Sequence, residues 1–258
     1  MLTEGVLARP GIDAVGLKPT EIDVSRAASL PVDAVVDYEG RDQLPDAEVL
    51  ADLAADREVR ATTPIKADGF DPLGDDGSWD WVADGIGRIL VAGNPMYLTA
   101  TEQGRAVAPR LGVARDRAPD AWVGTESVER VALAAGGPQL ELLSRSTERD
   151  LHALRAAGFD GQLAVYAPTV VTDDEDAILD AVGAYAARRG PVRAALPDDA
   201  ATDATATGRA RDVLTQAVRD YALVGDGETV ENRVERLPEA GADTVVAYPA
   251  RGLDALGR

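Results

Sequence analysis

The feature that most narrows the folds open to this chain is a theme repeated eight times: a short β-branched run, a turn, then an amphipathic helix. The runs fall at residues 14–17, 34–38, 59–65, 88–92, 121–124, 139–143, 163–167 and 243–248. Most are continuous apolar stretches without strict alternation, as expected of parallel strands covered on both faces. Strands alternating with helices imply right-handed βαβ crossovers. Eight such units in 258 residues fit a closed (β/α)8 barrel of the TIM type better than an open doubly wound sheet. The expectation is an α/β fold in which residues 1–258 form a single barrel domain with short insertions.

Helix signals agree with that order. Thr172 and Glu175 have the spacing of a capping box, with Ile178, Ala181, Val182 and Tyr185 on one face behind them. Thr147 with Asp150 predicts the start of a helix that stops at Gly158. Residues 228–240 place Val230, Val234 and Leu237 on one stripe before Gly241 turns the chain into the last strand.

Charge limits the partners. The chain carries 45 acidic against 26 basic side chains, a formal net charge of -19, so a phosphate backbone or an anionic membrane would be repelled. Lysine occurs only at Lys18 and Lys66, and every other cation is arginine. Acidic excess with scarce lysine resembles proteins of salt-loving archaea, in which molar salt shortens the screening length to ~3 Å and cancels self-repulsion. With no cysteine, disulfides and thiol chemistry are excluded. Apolar runs are strand-sized and the N-terminus lacks a signal pattern, which predicts a cytoplasmic protein.

Several chemistries lack their motif. No Walker loop, Gly-x-Ser-x-Gly elbow or complete dinucleotide fingerprint is present. The sole histidine, His152, lies off the apolar stripe of its helix and reads as a solvated residue, which excludes a histidine-based zinc site. The acidic loop with Asp68, Asp71, Asp75 and Asp76 lacks calcium-loop spacing and reads as solvated surface, so no metal ligand is assigned.

In a barrel of this type chemistry sits where strands end. That rule yields a ring: Lys18, Asp37 with Glu39, Thr63 with Lys66, Asn94, Thr125 with Glu126, Ser144 with Arg145, Tyr166 with Thr169, and Tyr248 with Arg251. Lys18 and Lys66 stand out, because a site needing a compact charge or a deprotonatable amine would keep lysine where arginine has replaced it elsewhere. They are the candidate catalytic bases or Schiff-base amines, with Asp37 or Glu39 as acid or metal ligand. Ser144-Arg145-Ser146 joins a strand to a helix start and offers hydroxyls, amides and a guanidinium for an anion. Arg251 and Gly252 follow the last strand, where barrels often hold phosphate.

Residues 123–249 resemble the luciferase-like barrel superfamily, which includes flavin-dependent monooxygenases and deazaflavin-dependent oxidoreductases. The resemblance is carried by Leu163-Ala164-Val165-Tyr166-Ala167-Pro168 followed by Asp173-Asp174-Glu175-Asp176-Ala177. It is carried also by Ala222-Leu223-Val224-Gly225-Asp226-Gly227-Glu228-Thr229-Val230 ahead of Gly241-Ala242-Asp243-Thr244-Val245-Val246. It implies a deazaflavin or flavin at the barrel mouth, with Asn94, Ser144, Arg145, Ser146, Tyr166, Arg251 and Gly252 as cofactor contacts. The sequence departs from the family in lacking a matching catalytic histidine and in offering Ser144-Arg145-Ser146 for the family's Gly-Pro-Lys type contact. The competing readings are a non-catalytic barrel serving as binding or assembly subunit, and a cofactor-free or metal-assisted lyase on a phosphorylated or carboxylated metabolite. The expected partners are a small molecule and further copies of the chain.

Overall fold

The computed structural model describes residues 11–65, 82, 84–92, 100–104 and 106–256. Among these, nine strands form one parallel sheet: β1 (Ala14–Leu17), β2 (Asp33–Val36), β3 (Val59–Pro64), β4 (Gly87–Val91), β5 (Trp122–Gly124), β6 (Gln139–Leu142), β7 (Leu163–Val171), β8 (Leu223–Gly225) and β9 (Thr244–Pro249). Neighbours run in order from β1 to β6, β9 lies between β1 and β7, and a ladder of Leu142 with Tyr166 joins β6 to β7. That last pairing closes an eight-stranded barrel, as the repeated strand and helix theme predicts.

Register and alternation divide the side chains into two sets. Pairings of Ile89 with Trp122, Gly124 with Leu140, Leu142 with Tyr166, and Ala14 with Val246 turn these residues inward. The residues between them, such as Val15, Val123 and Val165, face the surrounding helices and are fully buried. Both faces are therefore covered, which is why the strands read as apolar runs.

The outer ring contains α1 (Ala47–Ala54), α2 (Ala100–Gln103), α3 (Val107–Arg117), α4 (Glu129–Ala135), α5 (Thr147–Ala156), α6 (Glu175–Ala187), α7 (Gly190–Ala195), α8 (Gly208–Tyr221), α9 (Gly227–Ala240) and α10 (Leu253–Leu256). Val230, Val234 and Leu237 on α9, with Leu151 on α5, pack against Leu163, Val165 and Val245. Gly241 ends α9 in the left-handed conformation at φ 114°, a stop that glycine adopts at little cost. The cap of α6 differs from the sequence expectation. Asp174, not Thr172, accepts the amides of Asp176 and Ala177, because Thr172 instead takes the Asp174 amide and holds the turn one step earlier.

The ninth strand was not anticipated. β7 continues to Val171 and pairs Thr169, Val170 and Val171 with β8, beyond the point where β6 has ended. Thr169 also pairs with Pro249 of β9, so β8 occupies the flank of β7 that β6 vacates. The segment between β7 and β8 holds α6, α7 and α8, which enclose an apolar core of their own around Leu179, Val182, Leu214 and Val218, closed against Val170 and Val224. The loop leading into α8 meets α6 at Gly183, where a Cβ would lie 2.3 Å from the Thr202 carbonyl oxygen.

Carboxylates stitch the lower rim. Asp13 accepts the Val245 amide at 2.8 Å, Asp33 that of Glu58 at 3.0 Å, and Asp243 that of Leu163 at 2.7 Å. Each ties a strand start to its neighbour and satisfies an amide the ladder leaves over.

Candidate functional site

Four strands bring ionisable and phenolic side chains to one sector of the C-terminal mouth. β1 ends at Leu17, and the chain turns at once as the Glu21 and Ile22 amides bond back to the Lys18 carbonyl. The turn brings Glu21 under the Lys18 ammonium, 3.5 Å away. Lys18 Nζ also lies 4.1 Å above the Tyr248 ring at the end of β9, a cation–π contact. The Tyr248 hydroxyl donates to the Glu21 carboxylate. The Lys18 side chain is thus flanked by a ring face and a carboxylate.

Asp37 follows β2, its amide bonded to Leu17 O at 2.8 Å. Its carboxylate accepts the Tyr166 hydroxyl across the barrel at 2.8 Å. Asp37 keeps some solvent access at the rim, but protein atoms crowd its carboxyl, and desolvation pushes its pKa from 3.8 up to about 6. The Tyr166 hydrogen bond and the Lys18 charge oppose that rise, and Glu39 and Glu21 add to it. Burial and the Asp37 carboxylate together raise the Tyr166 phenol well above its ordinary value. Burial and Glu21 do the same to Tyr248. The two rings stack with centroids 6.3 Å apart and planes 13° from parallel. Glu39 accepts both the amide and the hydroxyl of Thr20, at 2.8 and 2.6 Å, and so pins the loop after β1 to the loop after β2.

Tyr166 reaches Asp37 because β1 carries glycine at its crossing point. A Cβ on Gly16 would lie 2.8 Å from Tyr166 Cε2 and 2.9 Å from its hydroxyl oxygen.

Of the sequence-predicted residues, the structure gathers Lys18, Asp37, Glu39 and Tyr166. Lys66 and Asn94 lie outside the described residues. The Ser144-Arg145-Ser146 loop folds on itself: Ser144 N donates to Thr147 Oγ1 at 2.9 Å, and the Ser144 hydroxyl lies 3.1 Å from that of Ser146. Thr147 Oγ1 donates in turn to Glu141 at 3.2 Å, whose carboxyl is pushed up to about 7 by desolvation. Arg145 points to solvent, as does Arg251, and Gly252 turns at φ 80°. Among the described residues, none of these hydrogen bonds or ion pairs with the Asp37 cluster. Gly16, Glu21 and Tyr248 complete the cluster. Tyr248 stood in the strand-end ring; Glu21, in the turn after β1, did not.

A cavity of about 230 Å³ opens at the opposite mouth, against Arg60, Trp122, Asp13, Asp33 and Asp243. Arg60 stacks 4.1 Å from the Trp122 ring and pairs with Glu58 at 2.6 Å. Its aspartates are the rim carboxylates already bonded to strand amides.

Residues 7–256 match the sequence pattern of DUF7388, a protein family of unknown function. The chain belongs to DUF7388. A search of curated proteins gives no match to this DUF7388 chain. Among solved structures, the coenzyme F420-dependent tetrahydromethanopterin reductase from Methanopyrus kandleri is similar with a TM-score of 0.61 and 13% identity, over 96% of this chain and 95% of that one. An F420-dependent secondary alcohol dehydrogenase, in complex with an F420-acetone adduct, is similar with a TM-score of 0.58 and 12% identity over the same shares. At such identities the likeness establishes the TIM-type barrel. It runs through nearly the whole DUF7388 chain, not only the second half in which the sequence resemblance lies.

Proposed function

We propose that this DUF7388 barrel is an oxidoreductase that binds a deazaflavin or flavin at its C-terminal mouth and uses Asp37 as its acid–base group. The observation that carries this reading is the Asp37–Tyr166 pair: a carboxyl titrating at about 6, bonded to a phenol and set in the mouth of the barrel. A general acid–base works best with a pKa near the operating pH.

The residues fit the ring of such a cofactor. A flat ring with one polar edge needs donors on one side and apolar walls on the other. Lys18 after β1 supplies the first, the Tyr166 and Tyr248 hydroxyls being spent on Asp37 and Glu21, and the alternation of β4 to β6 supplies the second with Val91, Gly124 and Leu142. Arg145 and Arg251 at the rim are the residues proposed to meet its phosphate. When bound, the cofactor supplies the site that gives or takes a hydride. Asp37 takes the substrate hydroxyl proton in oxidation or returns it in reduction. Tyr166 holds the Asp37 carboxylate in place, and the Lys18 ammonium stabilises negative charge developing on the substrate oxygen. Glu39 and Thr20 keep the first two loops closed beside the pair.

Titration of the purified protein in molar potassium chloride with F420 and with FMN tests the reading, followed by ligand fluorescence and melting temperature. Binding of either should raise stability by ~2.7 kcal/mol at a hundredfold excess over Kd. If neither binds nor raises the melting point, the proposal fails.

A further inference from the structure

We propose that Gly16 is a positioning residue of the mouth: by lacking a side chain it lets the Tyr166 ring lie against β1 with its hydroxyl on Asp37. The assignment rests on the proposed role of the Asp37–Tyr166 pair.

Gly16 is a glycine that its own backbone does not explain. Gly16 lies inside β1, pairs in register with Val35, and is not among the residues with positive φ. Any side chain is conformationally admissible there, and a glycine weakens a strand, so its presence signals a close approach. The approaching group is Tyr166. A Cβ at residue 16 would meet Cε2, the hydroxyl oxygen and Cζ at 2.8, 2.9 and 3.0 Å. All three atoms belong to the edge of the ring that carries the hydroxyl, so the clash falls on the end that makes the hydrogen bond. The phenol would have to retreat by several tenths of an ångström. Tyr248 stacks on the ring and restricts where it can go, and its own hydroxyl is committed to Glu21. A 2.8 Å bond to Asp37 does not survive such a move in good geometry.

Gly16 thus acts on the acid–base group through Tyr166. The groups facing Asp37 are Lys18 on the end of β1, Glu21 in the turn beyond it, Glu39 on its own loop, Tyr166 on β7 and Tyr248 on β9. Of these, an alanine at residue 16 displaces Tyr166 directly. Because that phenol donates to the ionised carboxylate, its withdrawal favours the protonated acid.

The test uses the full chain without cofactor, so its outcome is separate from whether F420 or FMN binds. The Asp37 carboxyl is titrated by carbon-13 NMR in the wild type, G16A, Y166F and the double variant. The expected result is that G16A and Y166F each move the midpoint upward by about one pH unit, and that the double variant moves it no further. Three outcomes overturn the proposal: an unmoved midpoint in G16A beside a moved one in Y166F, an unmoved midpoint in both, or additive shifts. Should G16A fail to fold, Gly16→Ala combined with Tyr166→Leu decides the matter. Recovery of the wild-type melting temperature identifies the ring as the obstacle, and no recovery refutes it.

Discussion

Asp37→Asn should make the protein more stable while removing the proposed acid–base group. The folded protein holds the Asp37 carboxyl at about 6, against 3.8 for the free side chain. The difference means that folding opposes ionisation, at a cost of ~3 kcal/mol once the group is charged in both states. Solvent access at the rim reduces this, so ~2–3 kcal/mol is the expected range. The sign follows from proton uptake. Below pH 3.8 the carboxyl is neutral folded or unfolded and contributes nothing. Between 3.8 and 6 the unfolded chain ionises first, so stability falls as pH rises. Above 6 the loss is complete. Asparagine carries no charge but still offers an oxygen to the Tyr166 hydroxyl, so the hydrogen bond remains. Urea unfolding in molar potassium chloride at pH 4 and pH 8 provides the assay. The variant and the wild type should coincide near pH 4 and separate by ~2–3 kcal/mol at pH 8, about 5–10 °C in melting temperature for a chain of this length. A variant less stable than the wild type at pH 8, or one with an equal gain at both pH values, would refute the reasoning.

Two further outcomes concern other parts of the barrel. Glu141, desolvated beneath the start of α5 and raised to about 7, should yield ~3 kcal/mol of stability on replacement by glutamine at pH 8.5 and almost none at pH 4, read from the same urea curves. Gly183→Ala drives a methyl into the Thr202 carbonyl and should cost roughly 1–3 kcal/mol in a thermal melt, with no effect on the Asp37 titration.

Much of the barrel was legible in the sequence because burial on both faces leaves most strands few polar positions, and the apolar runs at 14–17 and 163–167 need no finer cue. β8 was hidden for the opposite reason. It is three residues long, and its partner lies some fifty residues earlier, so neither length nor neighbourhood marks it. Pro168 concealed the second half of β7, since proline reads as the end of a strand. Here it pairs with Tyr248 and the ladder continues beyond it.

In the site, Lys18 could be singled out by the scarcity of its kind, and Asp37 and Glu39 by their place after a strand. Nothing local joins Asp37 to Tyr166, because the bond crosses the barrel between residues 129 apart. Gly16 carried a readable mark, a glycine in a strand interior, whose cause lies on a distant strand. Glu141 carries no mark of its own in the sequence, because the desolvation that raises its carboxyl arises only in the fold, and the Thr147 hydroxyl that opposes the rise belongs to the helix start that follows it.

β7 belongs to two structures at once. Its first residues face Asp37 and the stacked tyrosines, and its last three are the backbone seam by which α6, α7 and α8 join the cylinder. A bundle with its own apolar interior, joined to the cylinder along that seam and by the Arg189–Glu126 ion pair, can change its outer surface without disturbing the Asp37–Tyr166 bond, which Tyr166 makes three residues before the seam begins.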